Sequence, residues 1–280
     1  MKILKIVMMK TMDLKEKKTQ SEENELVFGR KPVLEVIGNE LLQVNKIWLS
    51  ENIKDYDVKQ KIISYAKENK VPFYMVPEQK ISYLTKNQNH QGVVLSISPI
   101  KYKSVGEIIQ EAVETPRRGI STKIILVAHE IEDPHNLGAM IRTFVAAGGN
   151  GIILTGRRSV GINSTTIKTS AGALFHADFA RVTNCVNVIN ELKKNNFWIV
   201  GTDNSSESQS IYDIDFPDQA AVIMGNEHEG LGELIKKNCD FLAKIPISGK
   251  VNSLNVSVAF GIVLFEILRT MSFSRKRESS

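Results

Sequence analysis

Cysteine is scarce: the 280-residue chain has only Cys185 and Cys239, far apart and in no Cys-x-x-Cys pair. That argues against a disulfide framework and against a zinc knuckle. The five histidines, His90, His129, His135, His176 and His228, show no ligand-like spacing, so no metal is expected. Long apolar runs are missing too. None reaches about 18 residues without a charge, so no membrane span is read. The opening Met1–Met9 is short, is broken by Lys2 and Lys5 and lacks a cleavage signal, which makes a cytoplasmic protein the simplest expectation. No Gly-x-Gly-x-x-Gly turn follows the first strand of the second half, which disfavours a dehydrogenase or a Rossmann-type methyltransferase. The cluster Gly148-Gly149-Asn150-Gly151 stands instead where a helix stops.

What is present is the material of a globular α/β protein. Hydrophobic residues make up 42% and charged residues 24%, enough to bury a real core, and the length allows two ordinary domains. The formal net charge is +5, a mild basic bias that suits a polyanionic partner. Its distribution is uneven. Residues 1–122 hold 20 Lys+Arg against 15 Asp+Glu, and residues 123–280 hold 16 of each. The whole excess lies in front, where phosphates would be attracted.

Residues 1–23 end in a polar, charged stretch and read as a mobile leader. A small α/β domain is expected over 24–100, with strands at 46–49, 71–76 and 92–97 and an amphipathic helix over 58–69. Residues 101–122 read as a linker that holds a short helical pattern and then Thr115-Pro116-Arg117-Arg118-Gly119. From 123 to 271, apolar strands at 124–128, 151–154, 197–200, 221–224 and 241–245 alternate with helices, so a largely parallel sheet is expected. A final helix over 256–271 is apolar nearly all round, which implies burial or a second subunit. Residues 272–280 read as a basic tail.

Three segments carry the chemistry. The first is Asp133-Pro134-His135-Asn136-Leu137-Gly138-Ala139 with Arg142. Asn136 can cap the helix that follows, and Asn136 and Arg142 converge on one substrate only if Asn136 sits on the loop. The second, Met224-Gly225-Asn226-Glu227-His228-Glu229-Gly230-Leu231-Gly232, is a strand end with glycines that admit close backbone approach. Its carboxylates, with no Gly-Lys-Ser/Thr after it, exclude a P-loop. The third is Ser253-Leu254-Asn255-Val256-Ser257-Val258-Ala259, where Ser253 or Asn255 can cap the last helix.

In this order, and with Ser170-Ala171-Gly172-Ala173 between them, these segments resemble the SpoU group of ribose 2′-O-methyltransferases in the SPOUT superfamily. The resemblance covers residues 123–270. Residues 26–98 are similar to the small substrate-binding domain of the TrmH/RlmB-type branch, through Phe28-Gly29-Arg30-Lys31-Pro32-Val33 and His90-Gln91-Gly92-Val93-Val94. The resemblance implies a trefoil-knotted SPOUT domain and an S-adenosyl-L-methionine cofactor in the knotted loops, at Gly225, Ile245 and Leu254, with Gly201 and Thr202 approaching. It implies Arg142 acting at the ribose hydroxyl, Asn136, Glu227 and Asn255 positioning substrate and loops, and Ser253 beside them. It also implies a homodimer and an RNA partner, with a guanosine of large-subunit ribosomal RNA as target. Two alternatives stay open: a tRNA ribose methyltransferase, and an RNA-binding protein of this fold without catalysis. The presence of Asn136, Arg142 and Glu227 speaks against the second.

Overall fold

The described residues of the computed structural model are 25–38, 42–98, 100–114, 123–250 and 253–278, with side chains to Thr270. The leader expected over 1–23 lies outside them. The chain divides into two units, Met1–Ile100 and Lys101–Ser280.

In the first unit, strand β1 (Glu25–Phe28) leads into helix α1 (Arg30–Ile37). Strand β2 (Val44–Ser50), helix α2 (Tyr56–Glu68), strand β3 (Phe73–Val76), helix α3 (Glu78–Leu84) and strand β4 (Val93–Ile97) follow. The sheet runs β1-β4-β2-β3, with β4 antiparallel to β1 and β2, and β3 parallel to β2. Parallel neighbours need a crossover, which α2 supplies. Asp55 caps α2 by accepting from the Val58 N–H at 3.2 Å, and Val58, Ile62 and Ala66 form its buried stripe.

The two sequence segments noted in this unit meet in space. Gly29, at φ 92° in a region open only to glycine, donates its N–H to the Val93 carbonyl at 3.3 Å. The Arg30 N–H reaches the Gln91 side-chain oxygen at 2.9 Å. His90 is buried; its Nδ1 accepts from the Gly92 N–H, so Nε2 carries the proton toward the Ser82 hydroxyl. These residues close the sheet onto α1.

The second unit opens with helix α4 (Val105–Glu114). Then come β5 (Lys123–His129), α5 (Pro134–Ala146), β6 (Gly151–Thr155), α6 (Ser164–Thr169), β7 (Phe179–Val182) and α7 (Cys185–Lys194). The chain continues through β8 (Trp198–Thr202), β9 (Gln209–Ser210), β10 (Gln219–Met224), α8 (Glu233–Lys236) and β11 (Phe241–Lys244) to α9 (Val256–Glu278). The sheet runs β7-β6-β5-β10-β8-β11-β9 and every pairing in it is parallel. Such sheets are buried on both faces and read as continuous apolar runs, as β6 and β10 do. Strands β7 and β9 escape that signal because they are short and partly polar, with Arg181 exposed in one.

The expected linker needs correction. Val105, Ile108, Ile109 and Ala112 of α4 are buried in the core of this unit with Ile125, Val188 and Ile199, so the domain begins before residue 123; residues 115–122 lie outside the described ones. The last helix also runs to Glu278 rather than 271, through most of the expected tail. It packs on α5 through Phe260 and Phe144, ring centroids 6.3 Å apart. Both cysteines are free thiols, and burial pushes them up to about 11 for Cys185 and about 12 for Cys239. Among the described residues no helix is long and apolar enough to cross a membrane.

Candidate active site

Because the strands are parallel, the loops after β5, β8, β10 and β11 all leave at the carboxyl ends of the strands, where open α/β sheets hold their ligands. They enclose a cavity of about 740 Å³, a volume suited to a nucleoside-sized molecule. Thr202, Gly225, Ile245 and Leu254 line it, and so do Asn136, Glu227, Ser253 and Asn255. Two expected residues do not. Gly201 is buried inside β8, where a Cβ would meet Cys239 Sγ at 2.6 Å and Leu231 at 3.0 Å; its missing side chain serves packing. Arg142 is exposed on α5 and off the cavity wall.

The reason lies in the helix cap. Asp133, not Asn136, caps α5: its carboxylate accepts from the His135 N–H at 2.8 Å, with Pro134 at the first helical position. Asn136 is therefore inside the helix, six residues before Arg142. That puts the two about 120° apart and separated by about 9 Å along the axis, so one chain does not bring them to one point.

Relieved of capping, Asn136 joins the three motifs. Its amide donates to Glu227 Oε1 at 3.0 Å, and its carbonyl oxygen accepts from Asn255 Nδ2 at 2.9 Å. Asn255 Oδ1 accepts from the Ser257 N–H at 2.9 Å, so Asn255 both caps α9 and completes the chain. The direction of every link is fixed. The backbone N–H at one end demands an oxygen, and the carboxylate at the other demands an N–H.

Two further residues hold the cavity's loops, and neither stands out in the sequence. Asn226 is buried and donates to the Glu130 carbonyl at 3.0 Å and to Glu132 Oε1 at 3.1 Å. Its own oxygen accepts from the His228 and Glu229 N–H groups, which shapes the loop after β10. Arg158 bridges Glu130 at 2.5 Å and Glu229 at 2.6 Å, with Glu132 at 3.5 Å. Asn226 has a faint signal, since it sits inside the second motif; Arg158 has none, because its partners are 28 and 71 residues away. The Glu229 and Glu130 carboxylates raise Arg158 above its ordinary value, and Arg158 in turn holds Glu229 below the usual carboxylate range.

The cavity is rich in carboxylates (Glu132, Asp133, Asp203, Glu227 and Glu229), set against Lys244 and His228, while Ile245, Ile247, Leu254 and Val263 supply apolar wall. Asp203 pairs with Lys236 at 3.1 Å. Burial pushes its pKa up, but the Ser205 hydroxyl and Lys236 outweigh that and keep it low. This lining suits a flat apolar ring and a cationic centre, and repels phosphate. Arg158→Ala should untie the loop after β10 and weaken binding of the small ligand by about fivefold, a modest change because the pairs are exposed. Titration calorimetry checks this; unchanged affinity would mean that the loop is held without Arg158.

Residues 123–265 match the family model described as the SpoU rRNA Methylase family, and residues 26–103 match RNA 2′-O ribose methyltransferase substrate binding. YacO of Bacillus subtilis (strain 168), named as of the TrmH family of tRNA/rRNA methyltransferases, is 36% identical over 89% of this chain and 97% of its own. A relative named for the same family in Staphylococcus haemolyticus is 39% identical over 88% and 96%. The AdoMet-bound rRNA methyltransferase of Sinorhizobium meliloti superposes with a TM-score of 0.71 at 26% identity, covering 90% of each chain. The AdoMet complex of AviRb from Streptomyces viridochromogenes has the same fold, with a TM-score of 0.74 at 21% identity over 91% and 93%. The chain belongs to the SpoU/TrmH family of RNA 2′-O-ribose methyltransferases and carries that family's substrate-binding domain.

Proposed function

We propose that this chain transfers the methyl group of S-adenosylmethionine to the ribose 2′-hydroxyl of a guanosine in large-subunit ribosomal RNA, as in the RlmB-type branch. The observation that carries the reading is the hydrogen-bonded chain Glu227–Asn136–Asn255 on the wall of the cavity. It ties the three motifs into one rigid surface beside a pocket of nucleoside size. When bound there, the cofactor supplies an activated methyl group on a sulfonium. The protein's part is positioning, because in-line displacement at carbon depends on alignment. Gly225, Ile245, Leu254 and Thr202 line the cavity and would hold the adenosine. Glu227 and Glu229 make the site tolerant of positive charge. Asn136 and Asn255 fix the loops against which the ribose is presented.

Arg142 orients phosphate and hydroxyl and stabilises the forming alkoxide; a guanidinium is almost always protonated and makes a poor base. Its exposure supports a role on the RNA side of the site. A homodimer through α9 agrees with this. Val258 and Phe265, seven residues apart on one face, are 51% and 55% exposed, and α5 packs against the same helix. Phe265→Glu should shift the protein from dimer to monomer in sedimentation at micromolar concentration; a wild-type monomer would remove the dimer. The insertion of β10 between β5 and β8 supports the knotted path that the family resemblance implies.

The target is tested by mapping 2′-O-methylation in RNA from a strain lacking this gene. Loss of one guanosine methylation in large-subunit RNA is expected. Loss in tRNA alone would transfer the assignment to the tRNA branch.

A further inference from the structure

The first unit carries an aromatic surface that the second unit's cavity does not use. In the β2–β3 pair, Trp48 stands opposite Tyr74, so both side chains lie on one face of the sheet. Strand β3 is at the sheet's edge. Tyr74 is 48% exposed and Trp48 half-buried against Val76, Ile81 and Val94. The Lys46 ammonium lies 5.6 Å from the Trp48 ring centroid and 5.8 Å from that of Tyr74. An exposed ring and a half-buried one beside it, with a cation near both, are the parts of a stacking platform for an unpaired nucleotide. Bases stack on aromatic faces regardless of sequence, and the ammonium is available for the adjoining phosphate.

We infer that Lys46, Trp48 and Tyr74 form a binding site for one unpaired nucleotide of the RNA substrate. The base displaces the ammonium from the rings, and Lys46 turns to the phosphate. Charge favours this occupant over an apolar peptide: the first unit, residues 1–100, holds 16 Lys+Arg against 12 Asp+Glu, and a lysine rather than an aliphatic residue covers the rings. The inference rests on the reading of this unit as an RNA-substrate domain and gives that reading a surface.

The test uses the full chain with Trp198→Phe, which leaves Trp48 as the single tryptophan; Trp198 lies off the cavity wall. The probes are an oligoadenylate of about twelve nucleotides, an RNA duplex of the same length and inorganic polyphosphate, with ribosomal RNA as the reference ligand. Saturable quenching of Trp48 emission is expected with the single strand and not with the other two. Tyr74→Ala and Tyr74→Leu should each weaken single-strand binding by about tenfold, and Tyr74→Phe should keep it. Lys46→Gln should make the salt dependence shallower by about 0.7 in the log–log slope. Single-strand binding with silent Trp48 emission overturns the platform, and so does a Tyr74→Leu variant within about twofold of wild type. Binding of the duplex or ribosomal RNA but not the single strand also overturns it while sparing the RNA reading. Failure of all three RNAs to bind would defeat both.

Discussion

Arg142→Ala is expected to lower the rate of methyl transfer by about 100- to 10,000-fold while leaving S-adenosylmethionine affinity within about twofold. The rate loss follows from the proposed role, because α5 carries no second lysine or arginine to steady a developing alkoxide in place of Arg142. The retained affinity follows from geometry. Arg142 is off the cavity wall, about 120° around α5 from Asn136. If Arg142 acts on the ribose held at a second copy's cavity, mixing Arg142→Ala with a variant that cannot bind cofactor should restore part of the activity. A single-turnover assay with labelled cofactor, next to calorimetry, reads both halves. Near-wild-type transfer would remove Arg142 from the chemistry, and lost cofactor affinity would place it in the pocket.

The second large effect is expected of Gly225→Val. A Cβ at Gly225 would lie 2.5 Å from the carbonyl carbon and oxygen of Gly230 and 2.9 Å from Leu231, closer than packed atoms tolerate. The loop closes on itself there, with the Gly230 N–H on the Asn226 carbonyl at 2.9 Å and Gly230 at φ 65°. The valine must open that turn. Overpacking of this kind costs about 1–3 kcal/mol of stability, and the reshaped wall should lower cofactor affinity by at least about tenfold. Thermal melting separates the two effects. A folded variant with unchanged affinity would show that the loop after β10 does not form the pocket.

The same residue illustrates what the sequence could carry. Glycine-rich strand ends mark close approach, and Gly225 does need its hydrogen; but the group that approaches is the loop's own backbone, visible only once Gly230 is folded against it. The parallel sheet was legible because β5, β6, β8 and β10 are continuous apolar runs. The helix over 105–114 reads as a helical pattern, but it is short and turn formers follow it, so it passes for part of a connector until Ile108 and Ile109 are seen in the core. At the start of α5, Asp133 and Asn136 are both plausible caps, and Pro134 decides for Asp133. That single choice turns Asn136 from a capping residue into the centre of the site. Arg158 was beyond sequence reasoning, since an ion pair across 71 residues has no local signature.

The chemical position of the transferred methyl group is the decisive observable. Total RNA is incubated with the protein and methyl-tritiated S-adenosylmethionine, then hydrolysed in alkali. A 2′-O-methyl group blocks attack on the adjoining phosphodiester, so label is expected in alkali-stable dinucleotides that release 2′-O-methylguanosine on enzymatic digestion. Label in mononucleotides carrying a methylated base, or no transfer by a folded protein that binds the cofactor, would contradict ribose methylation by this chain.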